Sequence, residues 1–170
     1  MPAVKRITVD LSQFPDLVVI YLGMRVNTFK GLRRFLRLGP QIAKSVAGRP
    51  DGLLLHENLF FSLFPLHAGM RQYWRDFESM ETWARSLPHQ SWWTEFLRDS
   101  GGTGFWHETY FMRGGMEAVY DDMKIAPGLA RFAPMRPARG PMFSARKRAG
   151  LPGEAKVTAP VRESEYYRES

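Results

Sequence analysis

Four histidines, His56, His67, His89 and His107, are the side chains of this sequence whose unperturbed charge changes near neutral pH. Cysteine is absent, which removes thiolate nucleophiles, disulfides and every Cys-ligated zinc or iron–sulfur site. The histidine spacing fits neither His-Glu-x-x-His nor a Cys/His pattern, so no metal is expected. His107 is the most pointed candidate, because it lies inside Gly104-Phe105-Trp106-His107-Glu108-Thr109-Tyr110. Period 2 sets His107, Thr109 and Phe111 on one face of that strand and Trp106, Glu108 and Tyr110 on the other. An imidazole with apolar neighbours can act as a general base. A buried imidazole that holds strand register by one hydrogen bond has the same signature.

A second string, Met70-Arg71-Gln72-Tyr73-Trp74-Arg75-Asp76-Phe77, divides into Arg71, Tyr73, Arg75, Phe77 and Met70, Gln72, Trp74, Asp76. Tyr and Arg donors can polarise an oxyanion or a carbonyl in a low-dielectric pocket, and they serve interfaces equally well. Trp83, Trp92 and Trp93 could wall a pocket for a flat apolar ligand, although aromatic residues at helical spacing also build cores. Neither a G-x-G-x-x-G loop nor a Walker sequence nor a G-x-S-x-G elbow is present, which lowers nucleotide cofactors and serine hydrolysis as readings.

These side chains need elements to hold them. Residues 16 to 27, apolar and β-branched, read as a central strand buried on both faces. Phe29, Leu32, Leu36, Ile42 and Val46 then form the stripe of an amphipathic helix that Gly39-Pro40 should kink or restart. Strands are predicted over 53–61 and 69–77, joined by a loop containing Pro65. A second helix starts near Ser79, is interrupted at Pro88, and stops at Ser100-Gly101-Gly102. A fourth strand covers 105–113, and Met116 to Met123 offers a short extra one. The order β-α-β-β-α-β is the ferredoxin-like α+β arrangement. It leaves one sheet face without helices, and a second copy of the same sheet would cover it, so a homodimer is expected.

The chain has 170 residues, enough for one ordinary core. The expected layout is an N-terminal extension over 1–15, the α+β domain over 16–126, and an irregular basic, Pro/Gly-rich tail over 127–170. The net charge of +7 is unevenly spread: residues 1–122 carry 14 Lys and Arg against 13 acids, 123–153 carry 7 against none, and 154–170 carry 3 against 4. A near-neutral body argues against nucleic acid as the partner of the fold. No apolar run is long enough to span a membrane. The opening Met-Pro-Ala-Val-Lys-Arg does not lead into the apolar stretch of a secretory signal, so a cytoplasmic protein is expected.

The strings Gly23-Met24-Arg25-Val26-Asn27, Gln72 to Ser79, Phe105-Trp106-His107-Glu108-Thr109-Tyr110 and Glu117-Ala118-Val119-Tyr120 together resemble the fumagillin-pathway-type monooxygenase-like family. That family belongs to the dimeric α+β barrel superfamily, beside the antibiotic-biosynthesis monooxygenases, and haem-containing aldoxime dehydratases are among its relatives. Phe77-Glu78-Ser79 is similar to the aromatic-Glu-Ser step that opens the second helix of the antibiotic-biosynthesis enzymes. Trp83 stands at their following aromatic and Tyr73 at a position where they carry Asn. The resemblance implies a monooxygenase of secondary metabolism that needs no metal or flavin. It would use O₂ on an enolisable aromatic or polyketide-like small molecule. His107 is then expected as the base, with Tyr73 and Arg71 as donors. Trp83, Trp93, Phe77, Trp74, Asn27 and His89 make up the expected substrate-binding set. Two alternatives stand beside it: a haem-dependent dehydratase or oxygenase with an axial histidine, and a non-catalytic barrel that binds a hydrophobic small molecule.

Overall fold

The computed structural model describes residues 4–112, 116–118, 120–121, 128–150, 152 and 163–166. In chain order the elements are β1 (Arg6–Val9), β2 (Val18–Val26), α1 (Phe29–Ala47), β3 (Leu53–Ser62), β4 (His67–Trp74), α2 (Phe77–Arg85), α3 (His89–Arg98), β5 (Thr103–Phe111), β6 (Tyr120–Asp121) and β7 (Met135–Pro137). Two short helices, α4 (Ala145–Arg148) and α5 (Glu163–Tyr166), and two single 3₁₀ turns complete the described residues. Among the described residues, no helix is long and apolar enough to cross a membrane. The chain folds as two compact units, residues 16–111 and residues 1–15 with 112–170.

The first unit is a ferredoxin-like α+β fold. Its sheet has the order β3-β4-β2-β5, all antiparallel, with β2 in the interior as its apolar run requires. Helix α1 starts where Thr28, in extended backbone, accepts the Gly31 N–H on its side chain. It runs as one helix through Pro40, where a kink or restart was expected. Proline costs that helix one backbone hydrogen bond, and the apolar stripe continues on both sides of it. The second predicted helix is two, α2 and α3, divided at Leu87-Pro88. Asp76 caps α2 by accepting the Ser79 N–H at 2.7 Å. Gly101 and Gly102, at φ +61 and +79, turn the chain from α3 into β5 in a conformation closed to most side chains. The core is Val18, Trp74 and Met80, with Ile20, Leu53 and Trp83 packed around it.

In the second unit β1 lies between β6 and β7, antiparallel to both. The N-terminal extension and the basic segment, the latter expected as an irregular tail, thus share one small sheet. Thr8 donates its hydroxyl to the Ala118 carbonyl at 2.8 Å, and Phe14 meets Phe132 edge to face at 5.2 Å. Part of the basic charge is spent inside this unit. Arg136 pairs with Asp10, and Arg148 binds Glu117 at 2.8 Å together with the Met142 and Phe143 carbonyls. The extra strand expected over Met116 to Met123 is the two-residue β6; Val119, Asp122 and Met123 lie outside the described residues.

Candidate active site

Antiparallel register sorts the first unit's sheet into two faces. Leu22 stands opposite Met70 on one side and His107 on the other, so those three share a face with Gln72 and Phe105. That face and the helices enclose a cavity of about 310 Å³. Leu22, Met24, Met70 and Phe105 form its floor, Phe35, Leu38 and Ile42 of α1 one wall, and Trp83, Trp92 and Phe96 another. Arg37 of α1 and Glu95 of α3, both lining it, pair at 2.5 Å, and Lys30 of α1 pairs with Asp99, the residue after α3, at 3.1 Å. Its volume is at the lower end of the ~300–1,000 Å³ usual for small-molecule sites.

His89 is the titratable group on the aromatic wall. It sits between Trp83 and Trp92, at ring distances of 5.0 and 6.1 Å. Its Nδ1 lies 2.8 Å from the Ala84 carbonyl. A carbonyl can only accept, so the proton is on Nδ1 and the Nε2 lone pair is left without a hydrogen bond among the described residues. Burial holds the His89 pKa below the ordinary imidazole value, although the Ala84 bond works against this. The result is a neutral, oriented base in an apolar enclosure.

On the sheet side, four side chains form a directional chain. The Trp74 indole donates to Gln72 Oε1 at 3.2 Å, Gln72 Nε2 lies 3.2 Å from His56 Nδ1, and His56 Nε2 lies 3.2 Å from Asn58 Oδ1. Gln72 is 1% exposed, and Gln72 and Asn58 line the cavity. Burial likewise lowers the His56 pKa.

The predicted catalytic group does not assemble. His107 is on the cavity's face but is exposed on the edge strand and does not line the cavity; its ring packs 6.0 Å from that of Phe105. Arg71 and Tyr73 are on the opposite face, as period 2 demands once Gln72 and Trp74 face the helices. There Arg71 binds Glu57 at 2.6 Å and donates to the Tyr21 hydroxyl at 3.0 Å, and its guanidinium lies 5.4 Å from the Tyr73 ring centre. Burial weakens the Arg71 cation, but the bonds to Tyr21 and Glu57 more than offset this and raise its pKa. Tyr110 donates to Glu108 on the same face, and the Trp106 indole donates to His67 Nε2 at 2.8 Å. Trp106 lies over Gly23, its cross-strand neighbour, where an added Cβ would come within 2.7 Å of the indole nitrogen.

Of the expected substrate-binding set, Trp83 and His89 line the cavity. Trp74 is fully buried in the core, Phe77 packs on Phe111 at 5.4 Å, and Asn27 occupies the β2–α1 turn; none of these three lines it. The Trp93 side chain lies outside the described residues. Sequence reasoning missed Asn58, Gln72 and the α1 wall. The available signal was that His89, Trp92 and Phe96 follow helical spacing, which places one histidine on a face with two rings.

Residues 17–129 match the model of the family described as monooxygenase af470-like. The chain belongs to that family. Among solved structures, this af470-like chain is similar to aldoxime dehydratase OxdRE in complex with butyraldoxime, at 23% identity and a TM-score of 0.66, over 88% of this chain and 44% of that one. It is also similar to a second aldoxime dehydratase, at 23% identity and a TM-score of 0.61, over 78% and 39%. The chain thus spans less than half the length of either dehydratase, and the likeness is one of fold. SnoaB, a cofactor-independent oxygenase from Streptomyces nogalater, matches at 15% identity and a TM-score of 0.45, over 58% and 94%. A search of curated proteins returned no match. Among the described residues of this af470-like chain no three His, Asp or Glu are grouped to hold a metal ion.

Proposed function

We propose that the chain is a cofactor-independent monooxygenase acting with O₂ on an enolisable aromatic or polyketide-like small molecule, with His89 as its base. Membership of a monooxygenase family supports the reaction class. The observation that carries the assignment is the His89 imidazole, anchored by Nδ1–H to Ala84 with its Nε2 free, on the wall of an aromatic cavity. Nε2 takes a proton from the activated CH₂ of the substrate. The carbanion passes one electron to O₂, and the radical pair recombines to a peroxide anion that the imidazolium protonates. Loss of water from this hydroperoxide, with the second C–H hydrogen, turns CH₂ and O₂ into C=O and H₂O. The protein supplies orientation, desolvation and the proton carrier.

The test is O₂ uptake with a panel of anthrones and activated phenols, in wild type and in His89→Ala. One O₂ consumed per carbonyl formed, lost in the variant, is the expected result. No uptake with any member overturns the reaction, and unchanged uptake in the variant overturns the base. The same reading takes the working unit as a cytoplasmic homodimer joined through the helix-free sheet face, supported by Phe61 and Tyr110 exposed there. Light scattering that gives a monomer mass would exclude the dimer.

A second reading is favoured by the same imidazole. Its donor set, one unspent nitrogen on an apolar wall with the other fixed to a backbone carbonyl, would also suit a haem, whose iron His89 would hold. A bound haem would supply a Lewis-acidic iron for dehydration of an aldoxime-type substrate. A Soret band in protein made with ample haem, abolished by His89→Ala, would support this reading; a colourless protein would remove it.

A further inference from the structure

Resting on the reading of the cavity as a site for an acidic aromatic molecule, we infer that Asn58 recognises the ligand's oxyanion, and that Trp74, Gln72 and His56 position its amide so that nitrogen rather than oxygen is offered. The direction follows from one group. An indole N–H can only donate, so Gln72 must turn Oε1 toward Trp74 and Nε2 toward His56. Two donors cannot face each other, so His56 Nδ1 carries the lone pair. The neutral ring then bears its proton on Nε2, which donates to Asn58 Oδ1. Reversing the buried Gln72 amide would set its Nε2 against the indole donor and its Oε1 against the His56 lone pair.

The consequence is at the end of the chain. Asn58 Oδ1 is engaged, whereas Asn58 Nδ2, with two N–H groups, has no hydrogen-bond partner among the described residues and belongs to a side chain that lines the cavity. Asn58 is exposed on the edge strand β3 as well as lining the cavity, so this oriented pair of donors stands where the apolar enclosure meets solvent; it suits a phenolate or enolate oxygen and refuses an ammonium or another donor. It also suits the proposed proton transfer: as His89 takes the proton, negative charge grows on the substrate oxygen, and a pre-aimed amide stabilises it without reorganising. Asn58 is the group in contact with substrate, and His56 acts through it.

The experiment titrates the purified protein with 4-nitrophenol, whose phenolate absorbs at longer wavelength than the phenol, so that bound anion is read directly and without O₂. Asn58→Ala is expected to weaken phenolate binding about tenfold, the scale of one charge-assisted hydrogen bond. His56→Leu should do the same, and His56→Gln should restore binding, since glutamine accepts from Gln72 with Oε1 and donates to Asn58 with Nε2. The double variant His56→Leu/Asn58→Ala should bind no worse than Asn58→Ala alone. Unchanged binding in Asn58→Ala, additive losses in the double variant, or no binding of the probe by wild type would each overturn the inference. Failure of the oxygenase reading is separate: phenolate binding that depends on Asn58 without O₂ uptake removes that reading only, and O₂ uptake indifferent to Asn58 removes the inference only.

Discussion

The two faces of the four-stranded sheet carry similar residue types in opposite states of use. Opposite the helices, Arg71 is committed to Glu57 and Tyr21, Tyr110 to Glu108 and the Trp106 indole to His67. On the helix side, His89 of α3 and the exposed Asn58 of β3 both line the cavity, and each keeps one polar atom without a partner among the described residues. Arginine, tyrosine and histidine are all capable of catalysis, so residue type does not separate the faces. Remaining hydrogen-bonding capacity does. A donor already satisfied by a carboxylate has to break that bond before it can serve a transition state, whereas an oriented lone pair in a desolvated wall is ready.

Variants on the two faces should therefore diverge. His89→Ala should lower kcat/KM by ~10²–10⁴-fold, the usual contribution of a general base, with the melting curve little changed; steady-state O₂ uptake checks it. Arg71→Met removes the ion pair with Glu57 and the bond to Tyr21 on the other face and should cost about 1–3 kcal/mol of stability, with kcat/KM retained in the folded fraction; urea unfolding beside an activity assay checks both halves. Asp76→Ala removes the α2 cap and should cost ~1 kcal/mol, which chemical denaturation resolves. His107→Ala, on the cavity's face but outside the cavity, should change kcat/KM less than threefold; a large loss would move the base to the sheet edge.

The comparison also has a pH form. His89 is neutral when active, and its pKa is held below the ordinary imidazole value near 6.5 by burial. The acid limb of kcat/KM should thus fall below pH 6.5. Stability shares the sign: the unfolded chain takes up the proton first, so the contribution is intact above 6.5 and is lost as pH falls toward the folded-state value. A pH profile whose acid limb lies above 6.5 would contradict this environment for the base.

The strand order was legible because each element announces its own period. The β-branched run of β2, the stripe of α1 and the breaks at Pro88 and Gly101-Gly102 are local signals, and they suffice for β-α-β-β-α-β. The site was legible only in part. Arg71 and Tyr73 are sequence neighbours of Gln72 and Trp74, and only knowledge of which face meets the helices tells which pair sees the cavity. Asn58 carries no sequence signal, because its role depends on the tautomer of His56, which is set two strands' worth of side chains away by Trp74. The sheet shared by residues 6–9, 120–121 and 135–137 was hidden because these short pieces lack periodicity and pair across more than a hundred positions.

The indole of Trp106 rests in the space that Gly23 leaves by having no side chain. A methyl at 23 evicts the ring, and with it the bond to His67, while a small residue at 106 takes away the ring that packs on Gly23 of β2 and against Phe61. The two positions therefore behave as a lock cut into two strands: neither half can be exchanged first without loss, so descendants of this chain should keep both or replace both together.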